Sequence, residues 1–206
     1  MEFASDDSRQ LPHQGAIVCR DWPGPTQWPA KTKPIPQDFY FAGDDLESNA
    51  NLLGTIVVQF ACFGGGTPEY SSFQQKQREK IAPHPFLAQL PMKMLSRPQG
   101  GALAVLGHVD RAWSYSFVWP GLKAAQTDIF SGMVSQILDG SRIGAAIEPF
   151  NEKYAEVAAF LQEVNRQIDE GATFSDREMA KLLTCNFDAR NYAICGDPAV
   201  HLQKTG

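Results

Sequence analysis

Thr55-Ile56-Val57-Val58-Gln59-Phe60-Ala61-Cys62-Phe63-Gly64-Gly65-Gly66-Thr67-Pro68 begins as an apolar, β-branched run and ends in consecutive glycines. A short, near-continuous hydrophobic run closed by a turn signal is the pattern of a buried parallel strand. In open α/β sheets, ligands and chemistry collect at the carboxyl ends of strands. Cys62 stands at such an end, and the glycines behind it let another backbone approach closely. Cys62 becomes a nucleophile only where neighbouring groups supply a base or a positive field.

Downstream, Phe86, Leu87, Leu90, Met94 and Leu95 recur at helical spacing and predict an amphipathic helix over 84–96, with Pro91 as a kink. Ala102-Leu103-Ala104-Val105-Leu106-Gly107 is a second buried-strand pattern. Strand, helix, strand is the signature of a parallel sheet. The expected fold is α/β, a mostly parallel sheet with helices on both faces. Further helices are expected over 122–138 and 144–169, the second carrying Ile147, Phe150, Tyr154, Val157, Phe160, Leu161 and Val164 on one face. Gly171 stops that helix, and Ser175 caps another over 176–183. Tyr192–Cys195 and Ala199–Leu202 read as a final hairpin-like pair of strands.

Upstream of the central run the sequence is less regular. Residues 1–14 are polar and read as unstructured, and Gly15–Cys19 reads as a short strand. Asp21–Pro36 holds five prolines and two tryptophans, Trp22 and Trp28. That proline density forbids helix and ladder and predicts a long loop folded over strand ends. Phe39–Ala42 is a short aromatic stretch, Asp44-Asp45 offers an N-cap for a brief helix to Asn51, and Tyr70–Lys80 reads as a solvated helix or loop.

The chain has 206 residues, enough for one domain with a full core. Its net charge of −5 provides no basic field for nucleic acid or anionic membrane. No apolar run is long enough to span a bilayer, and the acidic, polar N-terminus is not a secretory signal, so a cytoplasmic location is expected. Cys19, Cys62, Cys185 and Cys195 show no zinc spacing, so neither a metal nor another cofactor is expected. Cys19 and Cys195 read as small buried hydrophobes.

A cysteine nucleophile needs a nearby base or a positive field. Backbone N–H groups at Gly64 and Gly65 are candidates for an oxyanion hole. By strand logic His108 is the nearest alternative base, and Asp110 and Arg111 are candidates to bind a charged substrate group. An Asp110 lining the pocket would favour a basic residue before the cut. Against this stands a plain reading in which Cys62 is a buried thiol and His108 a structural histidine. Phosphate-loop, nucleophile-elbow, zincin and EF-hand patterns are absent.

The strand ending in Ala61-Cys62 and then glycines resembles the nucleophile strand of the caspase-like (clan CD) cysteine peptidases, which include caspases, gingipains and CHAT-type bacterial domains. Gly100–Gly107 is similar to the next sheet strand of CHAT- and gingipain-type domains. Tyr192–Leu202, with Gly196-Asp197-Pro198, looks like their close. The resemblance spans about residues 55–202 and implies a three-layer sandwich, a polypeptide substrate or protein partner, and a Cys–His dyad with Cys62 as nucleophile. In that family the histidine precedes the cysteine in a His-Gly pair, so the resemblance does not assign His108. No His-Gly pair precedes Cys62 here, and His13 is followed by Gln14. Related bacterial sequences carry His-Gly ahead of a Met-Glu-Phe-like stretch and an Arg-Gln-x-Pro-His-Gln-Gly segment similar to Arg9–Gly15. The expectation is the C-terminal portion of one such domain, with a loop-rich lead-in over 1–54, the nucleophile and neighbouring strands over 55–139, and a helical and terminal strand region over 140–206. It would hold the nucleophile without its base, be inactive alone, and expose a strand edge. The rival is a non-catalytic interaction module, a pseudo-peptidase that holds a partner through its cleft and the Trp22/Trp28 loop.

Overall fold

The computed structural model describes residues 1–28, 34–73, 78–117 and 127–203. In chain order come α1 (Gln10–His13), β1 (Ile17–Val18), β2 (Tyr40–Phe41), β3 (Ile56–Val58), β4 (Gly66–Thr67), β5 (Phe86–Leu87) and α2 (Gln89–Leu95). Then follow β6 (Ala104–His108), α3 (Asp128–Leu138), α4 (Ile143–Ala146), α5 (Glu148–Asp169), α6 (Asp176–Arg190) and β7 (Tyr192–Gly196).

The expected large parallel sheet is not formed, and with it the caspase-like three-layer sandwich is overturned. The described strands make three small sheets of two, three and two strands, β1-β2, β3-β6-β7 and β4-β5. Only β3 and β6 pair in parallel, with Val57 opposite Val105. The other strand pairs are antiparallel, and β7 lies against β6 with Leu106 opposite Ile194. Tyr192–Cys195 therefore joins the central sheet, and Ala199–Leu202 forms no strand to pair with it.

β6 is buried at every position, as an apolar strand flanked on both sides should be. β3 is not: it lies at an edge, and Val58 is 38% exposed. Over one face of the sheet, Ala104 and Leu106 pack against Met133, Ile137, Ile143 and Phe150. α3 thus buries Met133 and Ile137 on the central strand, α5 contributes Phe150 from its first turn, and the rest of α5 packs chiefly along α6.

Other elements differ from expectation for local reasons. Phe86-Leu87 pairs with Gly66-Thr67 as a hairpin, so the helix expected from 84 starts at Gln89. Pro91 then falls in the first turn, where its missing N–H costs nothing, and no kink is needed. The brief helix expected from Asp44-Asp45 to Asn51 does not form; the two aspartates lie in a single 3-10 turn, Gly43–Asp45, in which the Asp45 carboxylate accepts from Ala42 N at 2.7 Å. The helix expected over 144–169 is broken at Ile147 into α4 and α5. α6 runs to Arg190, beyond the expected 183. Within the proline-rich loop, 29–33 lie outside the described residues, as do 74–77 of the polar stretch and 118–126 ahead of α3. Trp28 packs edge-on against Phe39 at 5.5 Å.

Candidate functional site

The turn after β3 is built against the end of β6. Gly65 N donates to His108 O at 3.0 Å, Phe63 N donates to Asp110 O at 2.8 Å, and Asp110 N donates to Gly66 O at 3.3 Å. The approach is close enough to demand glycine. A Cβ on Gly107 would sit 2.5 Å from Gly65 N and 2.6 Å from Gly64 C. On the other side, Gly15 has φ +82, and a Cβ there would strike the Phe63 carbonyl. The turn is gripped by main chain on two sides, and Phe63 is buried completely.

Two non-glycine residues among those described have positive φ, Phe63 at 61° and Asp110 at 79°. Both flank Cys62 in space. The Cys62 thiol is half-buried and donates weakly to Ala112 O at 3.5 Å. The Met1 α-ammonium donates to Ala16 O at 2.6 Å. Burial lowers the pKa of that ammonium, and a Cys62 thiolate opposes the lowering.

Cys62, Gly64, Gly65, His108, Asp110 and Arg111 are thus brought to one end of the sheet, but their functional groups are largely engaged with one another and with their neighbours. Gly64 N donates to Ala61 O at 3.1 Å and Gly65 N to His108 O, so neither faces an empty oxyanion position. The Cys62 N–H makes no hydrogen bond among the described residues. His108 is fully buried, with Nδ1 3.2 Å from Asp110 O and Nε2 3.1 Å from Asp188 O. Its Nε2 is also 3.4 Å from the Asp188 carboxylate, and the ring meets Tyr192 edge-on at 5.0 Å. Both nitrogens therefore face main-chain carbonyls rather than Cys62, and the one that carries the proton donates to its carbonyl.

Asp110 is also fully buried. Its carboxylate accepts from Ser72 N and Arg111 N at 2.7 Å each and from Ser71 Oγ at 3.3 Å. It holds the 71–72 segment to the turn. Arg111 reaches Glu2 and Glu79, and its hydrogen bond with Glu2 keeps the guanidinium firmly protonated.

The remaining histidines lie elsewhere. His13 Nδ1 is 2.9 Å from Tyr40 Oη, and its Nε2 is 3.4 Å from Asp44. His84 and His201 are exposed. The other thiols are distinct from Cys62. Burial pushes Cys185 up to about 11 and also raises Cys195, whose Sγ lies 3.8 Å from Gly65 O beneath the turn. Cys19 and Cys195 are half-buried rather than buried as expected; Cys185 is the fully buried cysteine.

Sequence reasoning missed two residues at this end of the sheet. Gln59 is 5% exposed and neither of its amide atoms has a hydrogen-bond partner among the described residues. A polar residue interrupting an otherwise apolar strand was the available signal. Asp188, fully buried on α6, accepts from Trp113 N at 2.7 Å and carries the carboxylate beside His108. Only the packing of α6 places it there. Among the described residues no helix is long and apolar enough to cross a membrane. No protein-family model, curated protein or solved structure matches this chain.

Proposed function

We propose that the chain carries the nucleophile of a cysteine-type peptide hydrolase, Cys62, in an arrangement that does not turn over by itself. The strongest support is the strain beside the thiol, where Phe63 and Asp110 hold positive φ and are joined to each other. Residues held in sparse backbone regions by over-determined surroundings cluster at active sites. In this reading Sγ attacks a peptide carbonyl and forms a C–S bond. The Cys62 N–H donates to the oxyanion, and the thiol proton passes through a base to the departing amine. Water then releases the acyl group. None of the four histidines is hydrogen-bonded to Cys62, so the base comes from elsewhere. The substrate is a polypeptide, and the four unpaired cysteines fit work in the reducing cytoplasm.

The test is alkylation by a peptidyl acyloxymethyl ketone, followed by intact mass, alongside hydrolysis of fluorogenic peptides with and without added imidazole. Selective labelling of Cys62 and imidazole-dependent hydrolysis, both lost in Cys62→Ala, are expected. Equal labelling of Cys62 and Cys19 with no imidazole effect would overturn the reading. The facing of both His108 nitrogens toward main-chain carbonyls rather than Cys62 favours a second reading, a non-catalytic module that binds a protein partner.

A further inference from the structure

Among the described residues no strand pairs with the outer edge of β3, and the register of that edge is complementary to itself. Leu103 N donates to Thr55 O and Gln59 N donates to Leu106 O, each at 2.8 Å. Thr55, Val57 and Gln59 therefore turn their peptide groups toward β6. By strand alternation Ile56, Val58 and Phe60 turn theirs outward. Among the described residues no hydrogen bond takes up those outward groups. Val58 and Phe60 are 38% and 44% exposed. The Phe60 ring packs against Phe117 at 4.4 Å and against Phe130 of α3 at 5.9 Å.

Natural sheets blunt such edges with charge, proline or bulges. This one carries none: no charged residue lies between Glu47 and Glu69, and the first proline is Pro68. The opposite edge strand, β7, is bracketed by Arg190 and Asp197 and ends at Gly196 with φ +120. Within this three-stranded sheet, among the described residues, the β3 edge is the undefended one.

We propose that β3 is a dimer seam, occupied by β3 of a second copy of this chain running antiparallel across a two-fold axis at Val58. With the axis there, Val58 faces Val58 of the other copy, and Ile56 faces Phe60. Every outward N–H and C=O finds its complement in a hydrogen-bonded pair. β-Branched and aromatic cross-strand pairs add to the ladder. Each copy carries a net charge of −5, so an uncharged seam is where two copies can meet without bringing like charges together. The two-fold closes the assembly at two copies. The proposal does not depend on Cys62 being catalytic.

Sedimentation velocity of the full chain across the micromolar range tests it, together with concentration-dependent amide hydrogen exchange. A reversible dimer is expected, with exchange at Ile56, Val58 and Phe60 slowing as concentration rises. Val58→Lys places two ammonium groups at the axis and should weaken association about tenfold or more, with an unchanged circular dichroism spectrum. Leu138→Lys, at an exposed site on α3, should leave the dimer intact. If Val58→Lys does not fold, the exchange pattern of the unmodified chain decides. A monomer throughout, an open-ended assembly, equal effects of the two lysines, or exchange protection outside β3 would overturn the proposal.

Discussion

The main-chain N–H of Phe63 donates to the main-chain oxygen of Asp110 at 2.8 Å, and both residues sit in the left-handed region. The bond ties the turn after β3 to the loop after β6. Each strained residue is held from a second direction, Phe63 by complete burial and Asp110 by the donors on its carboxylate. The pair fixes where Cys62 stands relative to Ala112.

Asp110→Ala strips the acceptor from the buried Ser71 hydroxyl and from the part-buried Ser72 and Arg111 N–H groups. Stability should fall by about 3–5 kcal/mol in urea unfolding. Asp110→Asn keeps an acceptor and should lose less. A loss under about 1 kcal/mol for the alanine variant would remove the stapling role from Asp110.

Gly107→Ala forces a methyl group onto the backbone of Gly64 and Gly65. It should destabilise by about 2 kcal/mol or more and change the alkylation rate of Cys62. Gly132→Ala is the matched control, since a Cβ at this position in α3 meets nothing within 4 Å. It should stabilise by about 0.5–1 kcal/mol through helix propensity alone.

Asp188 holds Trp113 N and faces the His108 imidazole from inside the fold. Asp188→Ala should cost about 3–5 kcal/mol, as removal of one partner from a buried polar pair does. Near-ultraviolet circular dichroism should register the displaced Trp113. An unchanged spectrum and midpoint would show that the pair does not anchor this loop.

Cys185 supplies a pH signature. Burial pushes its thiol from an ordinary value of 9.0 to about 11, with Lys153 opposing the rise and Asp188 adding to it. Between those values the unfolded chain has released the proton that the folded chain keeps. The folded state then binds more protons, so stability falls as pH rises from 9 toward 11. The loss reaches about 3 kcal/mol. Lys153, which desolvation holds below its usual range, acts in the opposite sense. Urea midpoints of Cys185→Ala compared with the parent chain isolate the thiol, and identical alkaline slopes would contradict its assignment.

Much of the local structure was legible in the sequence, and the assembly was not. The end of α5, the φ +97 glycine at 171 and the Ser175 cap of α6 follow from local rules, but the expected buried face of α5 holds only in part: Phe150, Val157 and Val164 are buried, whereas Tyr154 and Phe160 are exposed and Lys153 is buried. The runs at Ile56 and Ala104 do pair in parallel. The burial of β3 was misread because an apolar run carries no mark of being at an edge. Strand direction was misread for a similar reason. Period-two alternation is blind to polarity, and β7 runs antiparallel because α6 delivers Asn191 beside Val109 at the far end of β6. At the site, residue types and spacing put Cys62, His108 and Asp110 near one another. Their orientations depend on carbonyls and on an aspartate far along the chain, which no motif encodes.

The grip of Gly15 and Gly107 on the turn has a mechanical consequence. Both walls are main chain, so no rotamer change can absorb a displacement between them. The turn and the central strand are therefore expected to move as one stiff unit, so that a tilt of β6, imposed by a partner strand or by a helix shifting on its face, displaces Cys62 with it.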